Sequence, residues 1–171
     1  MSHLVQFLTA SVVALITSPA KADPLAVGAA LPAVTLPDQD GVPVDLAAAS
    51  SGYVLVYFYP KADTPGCTKQ ACSLRDAFAS LTDLAVKVFG VSTDSVKAQK
   101  AFQDKYRLPF QLLADDAGKL IAAFGVPGML GFAKRQAFLF HDGKLVWRDL
   151  AAATEQQAAD VLKVIAAHSN G

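Results

Sequence analysis

Residues 53–59, YVLVYFY, followed at once by Pro60, decide the fold of this chain. A continuous run of β-branched and aromatic residues of this length is typical of a central strand buried on both faces. From residue 68 to residue 81 the apolar side chains recur at helical spacing. The sequence therefore predicts a buried strand, a loop and an amphipathic helix in succession.

The rest of the chain continues this alternation of strands and helices. A hairpin is predicted over 34–45, with its turn at Asp40-Gly41, and a strand pair over 135–141 and 144–148 about Asp142-Gly143. Further strands are predicted at 85–91 and 110–113, and helices at 95–106, 118–124 and 154–168, the last capped by Thr154. The expected fold class is α/β, in three layers, with a mixed central sheet, helices on both faces and an N-terminal β-hairpin.

Composition indicates one globular domain without a polyanionic partner. The chain has 171 residues, of which 53% are apolar, enough for a single buried core. Its 15 basic and 15 acidic side chains cancel, so no electrostatic footprint for nucleic acid or an anionic membrane surface is present.

The first 22 residues have the shape of a signal peptide. An apolar run over 4–17 is followed by Pro19 and by the small-residue pattern Ala20-Lys21-Ala22. This run is shorter than the roughly 20 residues that a membrane-spanning helix needs. We therefore expect cleavage after Ala22, a mature domain over 23–171, a periplasmic location and no stable membrane association afterwards.

Two cysteines, Cys67 and Cys72, follow the predicted central strand. Ligands of open α/β sheets bind at the carboxyl ends of strands. Cys67 falls where the loop becomes a helix, so free N–H groups and the helix dipole favour its thiolate. Five helical residues advance the chain by about 7.5 Å and turn it to nearly the opposite side, whereas a disulfide needs α-carbons within about 7 Å. The pair cannot bond while the helix is intact.

Two interpretations of this pair remain open at this point. One is a structural disulfide in an oxidising compartment. The other is a catalytic cycle, in which Cys67 is oxidised to a sulfenic acid, the turn opens, and Cys72 condenses with it. A closed loop this small constrains the unfolded chain comparatively little, which favours catalysis.

The segment from Pro60 to Cys72 resembles the active site of the peroxiredoxins, in particular the peroxiredoxin Q or bacterioferritin comigratory protein group. Pro60, Thr64 and Cys67 match the motif Pro-x-x-x-Thr-x-x-Cys, and Cys72 matches the resolving cysteine of that group. The resemblance implies a thioredoxin-like fold and a thiol peroxidase acting on hydrogen peroxide and organic hydroperoxides. It also implies a thioredoxin-like dithiol protein as reductant, with no cofactor and no metal.

The resemblance assigns roles to further residues. Thr64 would hydrogen-bond the peroxide, Pro60 would shield the site from water, and Arg135 would complete it and stabilise the thiolate. Fixed donors of this kind stabilise the charge on a leaving oxygen better than reorganising water does. Gln70 and Ala62 are departures, since the group commonly carries acids there. Because the resolving cysteine is internal, we expect a monomer.

Three competing functions are weighed against this one. An extracytoplasmic thiol-disulfide oxidoreductase acting on proteins is the nearest alternative, but it would normally carry Cys-x-x-Cys. A metal carrier would need more ligands than the two cysteines, because zinc takes four, and His3, His141 and His168 are scattered along the chain. A pure binding module is the third, and an inability of the reduced protein to consume peroxide would favour it.

Overall fold

A computed structural model describes residues 23–169 of the chain. Its strands are β1 (Thr35–Pro37), β2 (Pro43–Asp45), β3 (Tyr53–Phe58), β4 (Lys87–Ser92), β5 (Gln111–Ala114), β6 (Gly128–Met129), β7 (Phe132–Ala133), β8 (Gln136–His141) and β9 (Lys144–Asp149). Its helices are α1 (Pro65–Asp76), α2 (Phe78–Asp83), α3 (Val96–Tyr106), α4 (Lys119–Ala123) and α5 (Gln157–His168), with a 3₁₀ turn at Ala47–Ala49. The predicted leader over 1–22 lies outside the described residues and stays a prediction.

The centre of the molecule is a five-stranded mixed sheet of order β5-β4-β3-β8-β9. Strand β3 is parallel to β4 and antiparallel to β8, while β4 is parallel to β5 and β8 antiparallel to β9. Every residue of β3 is buried. The predicted central strand and the mixed α/β architecture are confirmed.

Alternate residues of β3 face two different cores. Leu55 and Tyr57 point into a core shared with α1, α3 and α5. Val56 and Phe58 point into a second core, shared with α4 and the phenylalanines of β8. Because side chains alternate across a strand, one buried strand supports both helical layers, and the predicted three-layer fold is confirmed. Within residues 23–169, no helix is long and apolar enough to cross a bilayer.

Both sheet edges are covered by chain that precedes β3. At β5, the N–H group of Leu112 donates to Oε1 of Gln39 in the turn of the β1–β2 hairpin, at 2.9 Å. At β9, Gly28 N–H donates to the Leu145 carbonyl and Leu145 N–H to the Ala29 carbonyl, each at 2.8 Å. The N-terminal hairpin is therefore confirmed, and it protects one edge of the sheet.

The helix after β3 differs from its prediction at both ends. It begins at Pro65, three residues before the predicted start, because proline is favoured at the first helical position, where no N–H is needed. It ends at Asp76, and α2 starts at Phe78 after Ala77, whose φ of −95° and ψ of 7° interrupt the α-helix.

The closing helix also begins elsewhere than predicted. Helix α5 starts at Gln157, and Thr154 lies three residues before it, so Thr154 is not the cap.

The β8–β9 turn is as predicted: Asp142 and Gly143 have φ values of 46° and 74°, and a two-residue type I′ turn requires positive φ at both residues.

Candidate active site

Cys67 lies in the first turn of α1, beyond the carboxyl end of β3, and is only 2% exposed. N–H groups in a first helical turn have no acceptor within the helix, so they and the helix dipole favour an anion there. Thr64 precedes the helix in an extended conformation, and its hydroxyl donates to the Lys61 carbonyl at 2.9 Å. Pro60 lies at the bend after the strand and is half-buried.

Arg135 is brought to Cys67 by strand pairing. It directly precedes β8, whose first residue, Gln136, is the register partner of Phe58 at the end of β3. Arg135 Nη2 lies 3.4 Å from Cys67 Sγ. A Cβ on Gly66 would lie 3.1 Å from the same nitrogen, tighter than most Cβ contacts, so the guanidinium would have to shift by a few tenths of an ångström. A glycine at this position leaves the guanidinium room beside the sulfur.

A buried chain of side-chain amides continues from Arg135. Arg135 Nη1 donates to Gln70 Oε1, and Gln70 Nε2 donates to Gln157 Oε1 at 2.5 Å. Both glutamines are fully buried. Among the described residues, Gln157 Nε2 has no hydrogen-bond partner, and a buried donor left in this state costs about 1–3 kcal/mol. Sequence analysis noted Gln70 only as a departure and missed Gln157, which is 87 residues away.

The loop between β3 and α1 is held by residues of the neighbouring chain segments. Ala62 N–H donates to Asp94 Oδ2 at 2.7 Å. Asp63 accepts from Lys105 Nζ at 2.7 Å and from the Tyr106 hydroxyl at 2.6 Å. These hydrogen bonds lower the pKa of the Asp63 carboxyl. Sequence analysis gave none of these residues a role, because the contacts join distant parts of the chain.

Two tyrosines lie in the core shared by β3 and α1. Burial raises the pKa of Tyr57 and of Tyr59 well above the ordinary tyrosine value, so both stay neutral. The Tyr59 hydroxyl donates to Gln99 Oε1. The Tyr57 hydroxyl is buried and has no partner among the described residues.

Cys72 lies in the same continuous helix as Cys67, is half-buried, and both thiols are free. Helix α1 is tied to the segment before α5 by an ion pair from Lys69 Nζ to Glu155 at 2.6 Å. Ser73 Oγ also donates to the Glu155 carbonyl at 3.1 Å.

Of the predicted site residues, the structure therefore joins Cys67 and Arg135. Within residues 23–169, no hydrogen bond links the Cys67 sulfur to Thr64, Pro60 or Cys72.

No group of three or more metal-binding side chains comes together within residues 23–169. His141 and His168 do meet, with ring centroids 5.1 Å apart, and the Tyr53 hydroxyl lies 2.9 Å from His168 Nδ1. Because Tyr53 begins β3 and Cys67 lies beyond its end, this histidine pair is remote from the thiol.

Comparison with known proteins places these features in a family. The model of the AhpC/TSA family matches residues 27–148. Chloroplastic peroxiredoxin Q of Sedum lineare is 47% identical over 103 residues, which are 60% of this chain and 55% of that protein. The matched segment covers 48% of the length of several other plant peroxiredoxin Q proteins. The chain therefore spans about half the length of the curated relatives it matches.

Two solved structures are also similar. Peroxidoxin BcpB from Mycobacterium tuberculosis is 35% identical, with a TM-score of 0.77 over 82% of this chain and 96% of that one. The bacterioferritin comigratory protein of Xanthomonas campestris, described for its alkyl peroxide reduction activity, is 30% identical, with a TM-score of 0.74 over 81% of this chain and 96% of that one.

These relatives correct one prediction and settle the family. The plant relatives are chloroplastic, so the predicted periplasmic location is wrong. That prediction relied on the apolar run over 4–17 and the small residues that follow it, a local pattern that the location of the relatives overrides. The chain belongs to the AhpC/TSA family and, within it, to the peroxiredoxin Q and bacterioferritin comigratory protein group of peroxiredoxins.

Proposed function

We propose that this chain is a thiol peroxidase in which Cys67 reduces a hydroperoxide. The observation that carries the proposal is the Arg135 guanidinium 3.4 Å from the Cys67 sulfur, at the first turn of a helix. A cation and a helix amino terminus together stabilise a thiolate, which is the nucleophilic form of cysteine. Membership of the peroxiredoxins supports the same chemistry.

In the first step, the Cys67 thiolate attacks one oxygen of the O–O bond. A sulfur–oxygen bond forms, the O–O bond breaks, and the leaving oxygen takes the electron pair and then a proton, giving water or an alcohol. Cys67 is left as a sulfenic acid. The peroxide is reduced by two electrons and the sulfur is oxidised by two.

Three neighbours would act on this step. Arg135 would stabilise both the thiolate and the charge that develops on the leaving oxygen. The Thr64 hydroxyl already donates to the Lys61 carbonyl, so its oxygen would accept the O–H of a bound hydroperoxide and orient it. Pro60 would keep bulk water from one side of the site.

In the second step, Cys72 would attack the Cys67 sulfenic acid, forming a disulfide and releasing water. Because both cysteines lie in one helix, α1 must unwind locally before the sulfurs meet. Unwinding would break the contact of Lys69 with Glu155 and that of Gln70 with Gln157. We therefore propose an intramolecular, atypical two-cysteine mechanism.

The disulfide would be reduced by a thioredoxin-like dithiol protein, returning both thiols. We propose hydrogen peroxide and organic hydroperoxides as substrates, in line with the alkyl peroxide reduction described for the Xanthomonas campestris relative. An internal resolving cysteine needs no second subunit, so we propose a monomer. A cleavable leader over 1–22 and a domain over 23–171 are kept as proposals on the sequence pattern described above.

The thiol-disulfide oxidoreductase acting on proteins is less well supported. A substrate protein must bring its own sulfur to the reactive cysteine, and Cys67 is 2% exposed. A hydroperoxide is small enough to enter a narrow site that a protein disulfide cannot enter.

The proposal is tested by peroxide consumption in three purified, reduced proteins: wild type, Cys67→Ser and Cys72→Ser. We expect turnover with a dithiol reductant in wild type, no reaction in Cys67→Ser, and a trapped sulfenic acid in Cys72→Ser by mass spectrometry. Wild type after one equivalent of peroxide should carry one internal disulfide. Unchanged peroxide with wild type, together with exchange of its thiols with a protein disulfide, would support the oxidoreductase instead.

A further inference from the structure

The positive charge of Arg135 is not neutralised by a carboxylate. Arg135 contacts the Cys67 sulfur with one guanidinium nitrogen and the neutral amide of Gln70 with another. None of the ion pairs within residues 23–169 involves Arg135. Nearby carboxylates are bound elsewhere: Glu155 by Lys69, and Asp94 by backbone and hydroxyl donors.

The orientation of both glutamines follows from Arg135. A guanidinium has only donors, so Gln70 must turn its oxygen towards Arg135 and its nitrogen towards Gln157. Gln157 must then present its oxygen, which leaves its own nitrogen buried without a partner. A carboxylate at position 70 would accept from Arg135 on one side and from a rotated Gln157 on the other. The amide thus leaves the nitrogen of Gln157 without a partner, whereas a carboxylate would leave the oxygen of the rotated Gln157 in that place instead.

We propose that Gln70 is a positioning residue, supported by Gln157, which holds Arg135 against Cys67 while leaving its positive charge available to the thiolate. This inference rests on the proposed peroxidase function, because it concerns the same sulfur. A carboxylate in place of Gln70 would hold the guanidinium equally well but would compete with the thiolate for its charge.

The other titratable groups around the thiol do not supply this effect. Tyr57 in β3 and Tyr59 just after it are neutral because burial raises their pKa values. On α1 itself, Lys69 is paired with Glu155 and Cys72 is a free thiol.

The loops that flank the site add two carboxylates with partners of their own. Asp94 accepts from Ala62 N–H and from the Ser92 hydroxyl, and Asp63 is paired with Lys105. Arg135 therefore acts on Cys67 as a cation that Gln70 orients.

Gln70→Glu is the direct test, because it changes charge with little change of shape. The thiolate is titrated by its ultraviolet absorbance in reduced protein without peroxide, with Cys72→Ser as the common background. We expect the titration to move to higher pH by about one unit, and the reaction with hydrogen peroxide to slow about ten-fold on its acid side. Thermal stability should change little, since a rotated Gln157 still has one hydrogen bond to residue 70 and one buried atom without a partner. A merely structural role would instead lower activity and stability together.

Gln157→Glu keeps an acceptor for Gln70 Nε2 and places the new charge one hydrogen bond further from Arg135. The titration of this variant should also move to higher pH, but by less than that of Gln70→Glu. If Gln70→Glu does not fold, the titration of Gln157→Glu tests the proposal in its place. Unchanged titrations in the variants would overturn the proposal. Because the titration uses no peroxide, a shift in a protein that consumes no peroxide would reject the peroxidase function and keep the role of Gln70.

Discussion

The two faces of β3 are built from neighbouring residues, yet they differ in chemistry. On one face, Tyr57 lies in the core beneath α1, with Tyr59 stacked beside it at a centroid distance of 5.6 Å. On the other face, Phe58 packs edge-on against Phe124 and Phe138, at centroid distances of 5.1 and 5.8 Å.

The difference shows how stability and reactivity are divided across one sheet. The phenylalanine face is mostly apolar, and its contacts gain from burial and from edge-to-face ring geometry. Gln136, the register partner of Phe58, adds one buried oxygen without a partner among the described residues at the end of this face. The tyrosine face holds buried polar atoms that lack partners within residues 23–169, among them the Tyr57 hydroxyl and the Gln157 amide nitrogen. Such groups each deserve a functional explanation. We infer that one face stabilises the fold and that the other gives up hydrogen bonds around a reactive thiol.

Phe124→Ala should have the largest effect on stability, because it opens a cavity in the phenylalanine face. We expect the free energy of unfolding to fall by about 3–5 kcal/mol, measured by chemical denaturation. The control Leu84→Ala, at a side chain that is 44% exposed, should change it by less than about 0.5 kcal/mol. A Phe124→Ala cost near that of the control would contradict the division between the two faces.

Gly66→Ala should reduce activity without reducing stability. The new methyl group would lie 3.1 Å from Arg135 Nη2 and push the guanidinium from the sulfur, slowing the reaction with peroxide about three- to ten-fold. Alanine also favours a helix over glycine by roughly 0.5–1 kcal/mol. Gly128→Ala is the matched control, since its methyl group would lie 3.7 Å from the Phe132 carbonyl oxygen. Equal peroxide rates in both variants would show that close approach of Arg135 is not required.

Tyr57→Phe and Tyr59→Phe should change stability in opposite directions. The first removes a buried hydroxyl without a partner and should raise the free energy of unfolding by about 1 kcal/mol. The second removes the donor to Gln99 Oε1 and should lower it by about 1 kcal/mol. Denaturant unfolding measures the free energy of unfolding of both variants. If it falls by the same amount in each, the Tyr57 hydroxyl has a hydrogen-bond partner in solution.

Asp63→Asn should have the smallest effect, one that depends on pH. Hydrogen bonds from Lys105 and Tyr106 lower the pKa of Asp63 in the folded protein below its ordinary value of 3.8. The carboxylate therefore stabilises the fold above that pH, and the contribution is lost as pH falls through the lower, folded-state pKa. We expect the melting temperature of the variant to be slightly lower than that of wild type at neutral pH. In strong acid we expect no difference between the two. A difference that persists in acid would assign the effect to something other than charge.

The local parts of the fold could be predicted from the sequence. Residues 53–59 are aromatic or aliphatic throughout, as a strand buried on both faces requires, and Asp-Gly between two strands is specific for a two-residue hairpin turn. The structure confirms both predictions. The start of α1 was missed because helical periodicity becomes visible only at the first buried side chains, after Pro65. Thr154 has the chemistry of a cap, but the chain at Glu155 is held by Lys69 and Ser73 instead, contacts that no local pattern contains.

The site was predicted where a motif or a resemblance marked it. Cys67 and Arg135 meet as expected, although the strand register that joins them is invisible in one sequence. Gln157 was not found, since its only distinction is a contact with Gln70 from a distant helix. An amide at the first residue of a helix otherwise carries no functional signal.

The covering of both sheet edges has a consequence for how the protein behaves at high concentration. A bare edge strand offers unpaired N–H and C=O groups to another molecule and so acts as a template for intermolecular strand pairing. Here the Leu112 N–H on one edge donates to the side chain of Gln39. On the other edge, the backbone of Gly28 and Ala29 hydrogen-bonds to that of Leu145. The segment before β3, remote in sequence from either cysteine, therefore protects the protein from aggregation by intermolecular strand pairing.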